Sequence, residues 1–201
     1  MRKISSLTLA MMVLTVLTAM AEEATGSQEE QIARFRVTGE VGYVFLTDHE
    51  DKILEDAIGY GITAGYRLSP SIEIRLPLFY SHHKEKEDIP DNESAEVSLF
   101  SITPGLAFST TGKLSVWFFI GAGVNFMEEE YKIGNLSSDE RNLAGASCTA
   151  AGLDLNLFRN LSIGFSGSLR TASREVIQYD GSEDWETFVY YTAVGRLTYA
   201  F

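Results

Sequence analysis

The sequence predicts an all-β chain folded as an eight-stranded antiparallel transmembrane up-and-down β-barrel. Three observations carry that prediction. First, Trp185 to Phe201 alternates with a period of two: Val189, Tyr191, Ala193, Gly195, Leu197, Tyr199 and Phe201 form an apolar set, and Tyr190, Thr192, Val194, Arg196, Thr198 and Ala200 lie between them. Such alternation marks a β-strand, and its length exceeds the five or six residues usual in a soluble sheet. Second, seven further segments of the same kind precede it, joined alternately by short turns and long acidic stretches. Third, the lysines after the N-terminal region (Lys52, Lys84, Lys86, Lys113, Lys132) all fall in loops, turns or strand ends, so the apolar faces carry none.

Taken in order, the N-terminus has Arg2 and Lys3, an apolar stretch from Leu7 to Leu17, and Ala19-Met20-Ala21 before Glu22. That three-part layout predicts a cleavable export signal over residues 1–21, followed by a short polar lead over 22–32 and the barrel over 33–201. The first strand has Phe35, Val37, Val41, Tyr43 and Phe45 on one face and Arg34, Arg36, Thr38 and Glu40 on the other, ending near Asp48. A charged loop, His49 to Glu55, leads to the second strand, in which Ile58, Tyr60, Ile62, Ala64, Tyr66 and Leu68 alternate with Gly59, Gly61, Thr63, Gly65 and Arg67. Ser69-Pro70-Ser71 is a tight turn. The third strand sets Ile72, Ile74, Leu76, Leu78 and Tyr80 against Glu73, Arg75, Pro77 and Phe79.

Lys84 to Glu93 reads as a second charged loop. The fourth strand, Ala95 to Ser109, contains Pro104, which predicts a bulge or an edge-like irregularity there. Thr110 to Lys113 is a turn, and the fifth strand runs from Leu114 to about Glu130 with Val116, Phe118, Ile120, Ala122, Val124 and Phe126 outward. A third loop is expected from Tyr131 to Glu140. Strands six (Asn142 to Phe158) and seven (Asn160 to Arg174) meet at Arg159-Asn160, and a fourth loop, Glu175 to Asp184, precedes the last strand.

Composition narrows the function. With Arg2 and Lys3 removed, 14 basic residues remain (16 − 2) against 28 acidic ones, a net charge of −14, which disfavours nucleic acid or anionic lipid as a general partner. The single cysteine, Cys148, cannot form an internal disulfide and is expected as a small buried or lipid-facing residue. The longest strongly apolar run, Val116 to Val124, is too short for a membrane-spanning helix, so a membrane location requires a closed barrel. A soluble barrel is the competing fold. It is disfavoured because a wet outer surface carries lysine and glutamate along its strands, whereas aromatic residues here (Tyr43, Phe45, Tyr66, Tyr80, Phe126, Tyr199, Phe201) gather towards strand ends.

The signal-like N-terminus, the segments GYRLSPSIEIRLPL, WFFIGAGVNF and NLSIGFSGSL, and the closing GRLTYAF together resemble the small eight-stranded outer-membrane proteins typified by OmpX, OmpW and the barrel of OmpA. The resemblance covers about Ala33 to Phe201 and implies a bacterial outer-membrane location, with lipids including lipopolysaccharide around the wall. It also implies that Tyr199 and Phe201 form a C-terminal signal for the barrel-assembly machinery. No peptidoglycan-binding domain is expected after Phe201.

Charged residues on the lumen parity are Arg36, Glu40, Arg67, Glu73, Arg75, Asp154 and Arg196, with Arg170 and Arg174 nearer the loops. Charges so confined must be paired, so a salt-bridged interior is expected. Either that network fills the barrel, or, as similarity to OmpA-type barrels implies, it gates a narrow path for ions or small solutes. The acidic loops are expected to be solvated surface, with divalent cations or a basic partner as their functional alternative. No loop carries an ordered calcium motif, and neither cofactor nor resident metal is expected. Lipid A-modifying barrels such as PagP and PagL also resemble this fold. The histidines His49, His82 and His83 match no spacing of the deacylase, and no enzymatic activity is expected. His82 and His83, adjacent on a strand, point to opposite faces and cannot share a metal.

Overall fold

A computed structural model of the chain describes residues 34–47, 54–84, 93–133, 136–177 and 183–201. The expected export signal and polar lead lie outside the described residues. Among these, the strands are β1 (Phe35–Leu46), β2 (Ala57–Ser69), β3 (Ile72–Lys84), β4 (Glu93–Ile102), β5 (Gly105–Ser109), β6 (Leu114–Ile133), β7 (Leu136–Asn156), β8 (Leu161–Ile177) and β9 (Glu183–Ala200). Every pairing is antiparallel. β4 and β5 are two halves of one stave, each pairing with both β3 and β6, and β9 returns to β1. The result is a closed barrel of eight staves, which leaves no sheet edge unpaired.

The β4/β5 break has a simple cause. Leu78 pairs with Ile102 and Arg75 with Gly105, so the register against β3 is the same on both sides of the interruption. The β6 side keeps its register too, from Ile102↔Val124 to Gly105↔Gly121. The expected bulge is therefore not present. Pro104 lacks a backbone N–H and interrupts the ladder without inserting a residue, and the neighbouring groups still bond: Thr103 N–H to the Pro77 carbonyl and Ala122 N–H to the Pro104 carbonyl.

Two of the expected loops are largely ladder. β6 and β7 stay paired to Ile133↔Leu136, so Tyr131 to Glu140 extends a hairpin instead of forming a loop. β8 and β9 pair to Ile177↔Glu183, which absorbs most of Glu175 to Asp184. Charge misled the sequence reading here, because backbone pairing tolerates acidic side chains on a solvated hairpin.

The short connections share one end. At Ser69–Ser71 the Ser69 hydroxyl accepts from the N–H of Ile72 (3.1 Å), and between β5 and β6 Gly112 sits at φ +136°, a conformation that glycine alone adopts without strain. Alternation holds around the wall. Val41, Ile58, Ile74, Phe118, Ile120, Phe165 and Leu197 are exposed, while Arg36, Thr63, Glu73, Trp117, Asp154 and Arg196 are buried.

Aromatic pairs mark two belts. Phe35–Tyr66 and Tyr199–Phe201 (both 4.9 Å between ring centroids) lie at the short-turn end, and Tyr60–Tyr80 (5.3 Å) and Phe100–Phe126 (6.2 Å) lie towards the other. Ten residues separate Phe35 from Phe45, and Tyr191 from Phe201. At ~3.3 Å per residue and a tilt of ~40° that spacing spans about 25 Å along the barrel axis, the height of an outer-membrane apolar band.

Candidate functional site

The lumen is built in two layers. At the short-turn end six of the expected charges form one alternating chain across four staves. Arg75 Nε donates to Glu73 Oε1 (2.9 Å), and Arg36 Nη1 donates to Glu73 Oε2 (3.1 Å). Arg36 Nη2 lies 4.0 Å from Asp154 Oδ2. Arg196 Nη1 donates to Asp154 Oδ1 (3.1 Å) and Arg196 Nε to Glu40 Oε1 (3.1 Å). Three guanidinium groups face three carboxylates, so the chain is neutral as a unit, the condition for holding charge away from water.

Trp117 anchors this chain from β6. Arg75 lies 4.5 Å and Arg196 4.1 Å from the ring centroid, giving the indole a cationic contact from each. Glycine opposite a carboxylate makes room for it. A Cβ on Gly164 would collide with Asp154 Oδ1 and the Leu153 carbonyl. Gly164→Val is therefore expected to lower stability by about 1–3 kcal/mol, the usual cost of overpacking, read as a lower urea midpoint for the vesicle-inserted protein.

Two of the expected lumen residues stand outside the chain. Arg67 is half-buried at the short-turn end, and its Nε makes no hydrogen bond among the described residues. Arg170 lies above the chain, 4.4 Å from the Phe79 ring centroid, donating to the hydroxyls of Ser101 (3.0 Å) and Ser168 (3.2 Å). Arg174 is on β8, in register with Glu186. Cys148 is buried towards the lumen.

Above Arg170 the lumen holds an apolar cluster beside the buried Ser81, His83 and Glu129, and the sequence pattern did not predict that cluster. Val44, Phe79, Val97, Leu99, Met127, Tyr190 and Val194 pack into one buried cluster. Leu54, from the stretch read as a charged loop, joins them. Residues 49–53 of that stretch lie outside the described residues; at its end Glu55 N–H bonds the Lys84 carbonyl (2.7 Å), and His83 Nδ1 donates to the Glu55 carbonyl (3.0 Å). His83 Nε2 then accepts from the Ser81 hydroxyl (3.1 Å). One signal was present in the sequence: Val97 and Leu99 on one parity, with Phe100 and Ile102 on the other, make a strand apolar on both faces. Between the two layers lies a cavity of about 20 Å³, lined in part by Glu40, Thr63, Arg75, Trp117, Phe119 and Arg170. That is space for about one water molecule.

A closed barrel with an apolar outer belt, two aromatic girdles and a filled, charge-paired lumen defines a small integral membrane barrel. The chain belongs to the outer membrane protein beta-barrel domain family, whose model matches residues 7–196. Its fold is similar to Neisserial surface protein A (TM-score 0.59, 12% identity, covering 83% of this chain and 97% of that one). Ail, the attachment invasion locus protein of Yersinia pestis, solved with the heparin analogue sucrose octasulfate, is also similar (TM-score 0.51, 13% identity, 83% and 99%). So is the outer membrane protein OprG from Pseudomonas aeruginosa (TM-score 0.50, 11% identity, 84% and 97%). No curated protein sequence matches the chain. At these identities the structural likenesses establish the fold, and the family places the protein in the bacterial outer membrane.

Proposed function

We propose that the protein is a sealed outer-membrane barrel that acts through its outer end, as a structural and surface-interaction protein. The filled lumen carries this reading. Among the described residues a charged chain lies below, a largely apolar cluster above, and a cavity of about 20 Å³ between them, which supports a lumen closed to solutes. Passage of ions or small solutes, the alternative that the charged lumen raised, would require both layers to rearrange together.

The short turns face the periplasm in barrels of this family, so the extended hairpins face outward. On the β6–β7 hairpin the side chains of Glu130 and Glu140 are both exposed, an acidic surface that attracts a cationic partner. The partner that fits is a basic polypeptide or divalent cations. Ail was solved with a polyanion; the acidic outer end here favours ligands of the opposite charge. In the same reading, residues 1–21 direct export and are removed. Tyr199 and Phe201, exposed at the end of the last stave, present the C-terminal strand to the assembly machinery, and lipopolysaccharide surrounds the outer rim.

The test is cosedimentation of polylysine with protein-containing vesicles. Binding is expected to be lost at high salt and weakened in a Glu130→Gln, Glu140→Gln double variant, whose side chains are both exposed. Binding no greater than to protein-free vesicles would refute the basic-partner reading.

A further inference from the structure

Polar side chains on the outside of the wall form a second arrangement, distinct from the lumen. His82 of β3 and Ser98 of β4 are directly opposed in register and both face outward. His82 Nδ1 lies 3.0 Å from Ser98 Oγ, and His82 Nε2 lies 3.6 Å from Glu96 Oε2. With Nε2 carrying a proton towards the Glu96 carboxylate, Nδ1 is free to accept the Ser98 hydroxyl proton. Tyr80 Oη is 3.4 Å from Ser98 Oγ on the other side.

This is a nucleophile, a base, a group that orients the base, and a hydroxyl donor beside the nucleophile, recognisable by geometry rather than by chain order. The imidazole is about one-third exposed, so the base is reachable from outside.

The surroundings indicate the substrate. Ser98 and Tyr80 line a cavity of about 300 Å³ whose other walls include Phe100, Phe126 and Leu143. Glu128 and Arg141 close its rim, Arg141 Nε donating to Glu128 Oε1 (2.9 Å). Phe100 and Phe126 belong to the upper aromatic girdle, so Ser98 sits where membrane meets water. Acyl ester bonds of lipids lie at that depth, with their chains running down an apolar wall.

We propose that the outer wall at Ser98 is a carboxylic-ester hydrolase site for the acyl esters of a membrane lipid. Ser98 Oγ attacks the ester carbonyl carbon as its proton passes to His82 Nδ1. Tyr80 Oη donates a hydrogen bond to the oxyanion, and Glu96 positions the imidazole and balances its positive charge. Collapse breaks the bond to the lipid alcohol, which leaves with the proton from His82. Water, deprotonated by His82, then hydrolyses the acyl-Ser98 ester, giving a free fatty acid and the deacylated lipid. The cavity's apolar walls hold the acyl chain.

The experiment uses the full chain reconstituted in two sets of vesicles, one of diacyl glycerophospholipid and one also containing an acylated glucosamine lipopolysaccharide, with released fatty acid measured by mass spectrometry. In parallel, a fluorophosphonate probe reports on the nucleophile by peptide mapping. Release from at least one set is expected, and the pattern of release identifies the source of the ester. The probe is expected on Ser98. Ser98→Ala and His82→Gln should each lower the rate ~100-fold or more, with heat-modifiable mobility unchanged, and Glu96→Gln should lower it less and shift the acidic limb of its pH profile. Ser94→Ala, an exposed position on the same strand, should match the parent protein. Absence of release from both vesicle sets, or release that survives Ser98→Ala, would overturn the proposal.

Discussion

Arg196→Ala is expected to lower the unfolding free energy by about 3–5 kcal/mol, the range for breaking a buried ion pair from one side. Arg196 holds Asp154 and Glu40 at once and stacks on Trp117. Alanine there would leave two carboxylates buried with only Arg36, at 4.0 Å from Asp154, to share. Urea titration of the vesicle-inserted protein, scored by heat-modifiable mobility, measures it. A change under about 1 kcal/mol, the scale of an exposed pair, would show that the chain is solvated rather than sealed.

Phe79→Ala is the second large expected effect, a loss of about 3–5 kcal/mol as for other buried phenylalanines. The ring is 2% exposed, packs in the apolar cluster, and supports the Arg170 guanidinium on its face. Truncation removes apolar contact from the upper layer and a cation–π partner from the lower. The same urea titration reports the loss. Phe79→Leu should recover most of it, because it restores apolar volume without the ring.

The architecture was legible because alternation is a property of neighbouring residues. Val116, Phe118 and Ile120 face outward and Trp117 and Phe119 inward, as period two dictates. Charges at fixed parity likewise led to six members of one chain. Their pairing was not legible, since Asp154 meets Arg196 through a register that links β7 to β9 across β8. The filled upper lumen was obscured because an apolar residue on the lumen parity, such as Val44 or Leu99, reads as an interruption of a polar pattern. Hairpin lengths were underestimated at Tyr131 to Glu140 and at Glu175 to Asp184, where charge resembled a loop. The outer-wall group was hidden for a different reason. His82 and Ser98 are 16 residues apart and meet only because β3 and β4 pair, which no spacing along one strand reveals.

Conductance of the refolded protein in a planar bilayer, recorded beside Arg196→Ala with insertion verified independently, tests the sealed lumen most directly. The structure predicts a silent bilayer for the parent protein, because a charged chain and an apolar cluster must both part before an ion can cross. Discrete openings in the parent protein, altered in size or frequency by Arg196→Ala, would contradict a sealed barrel and make the charge chain a gate.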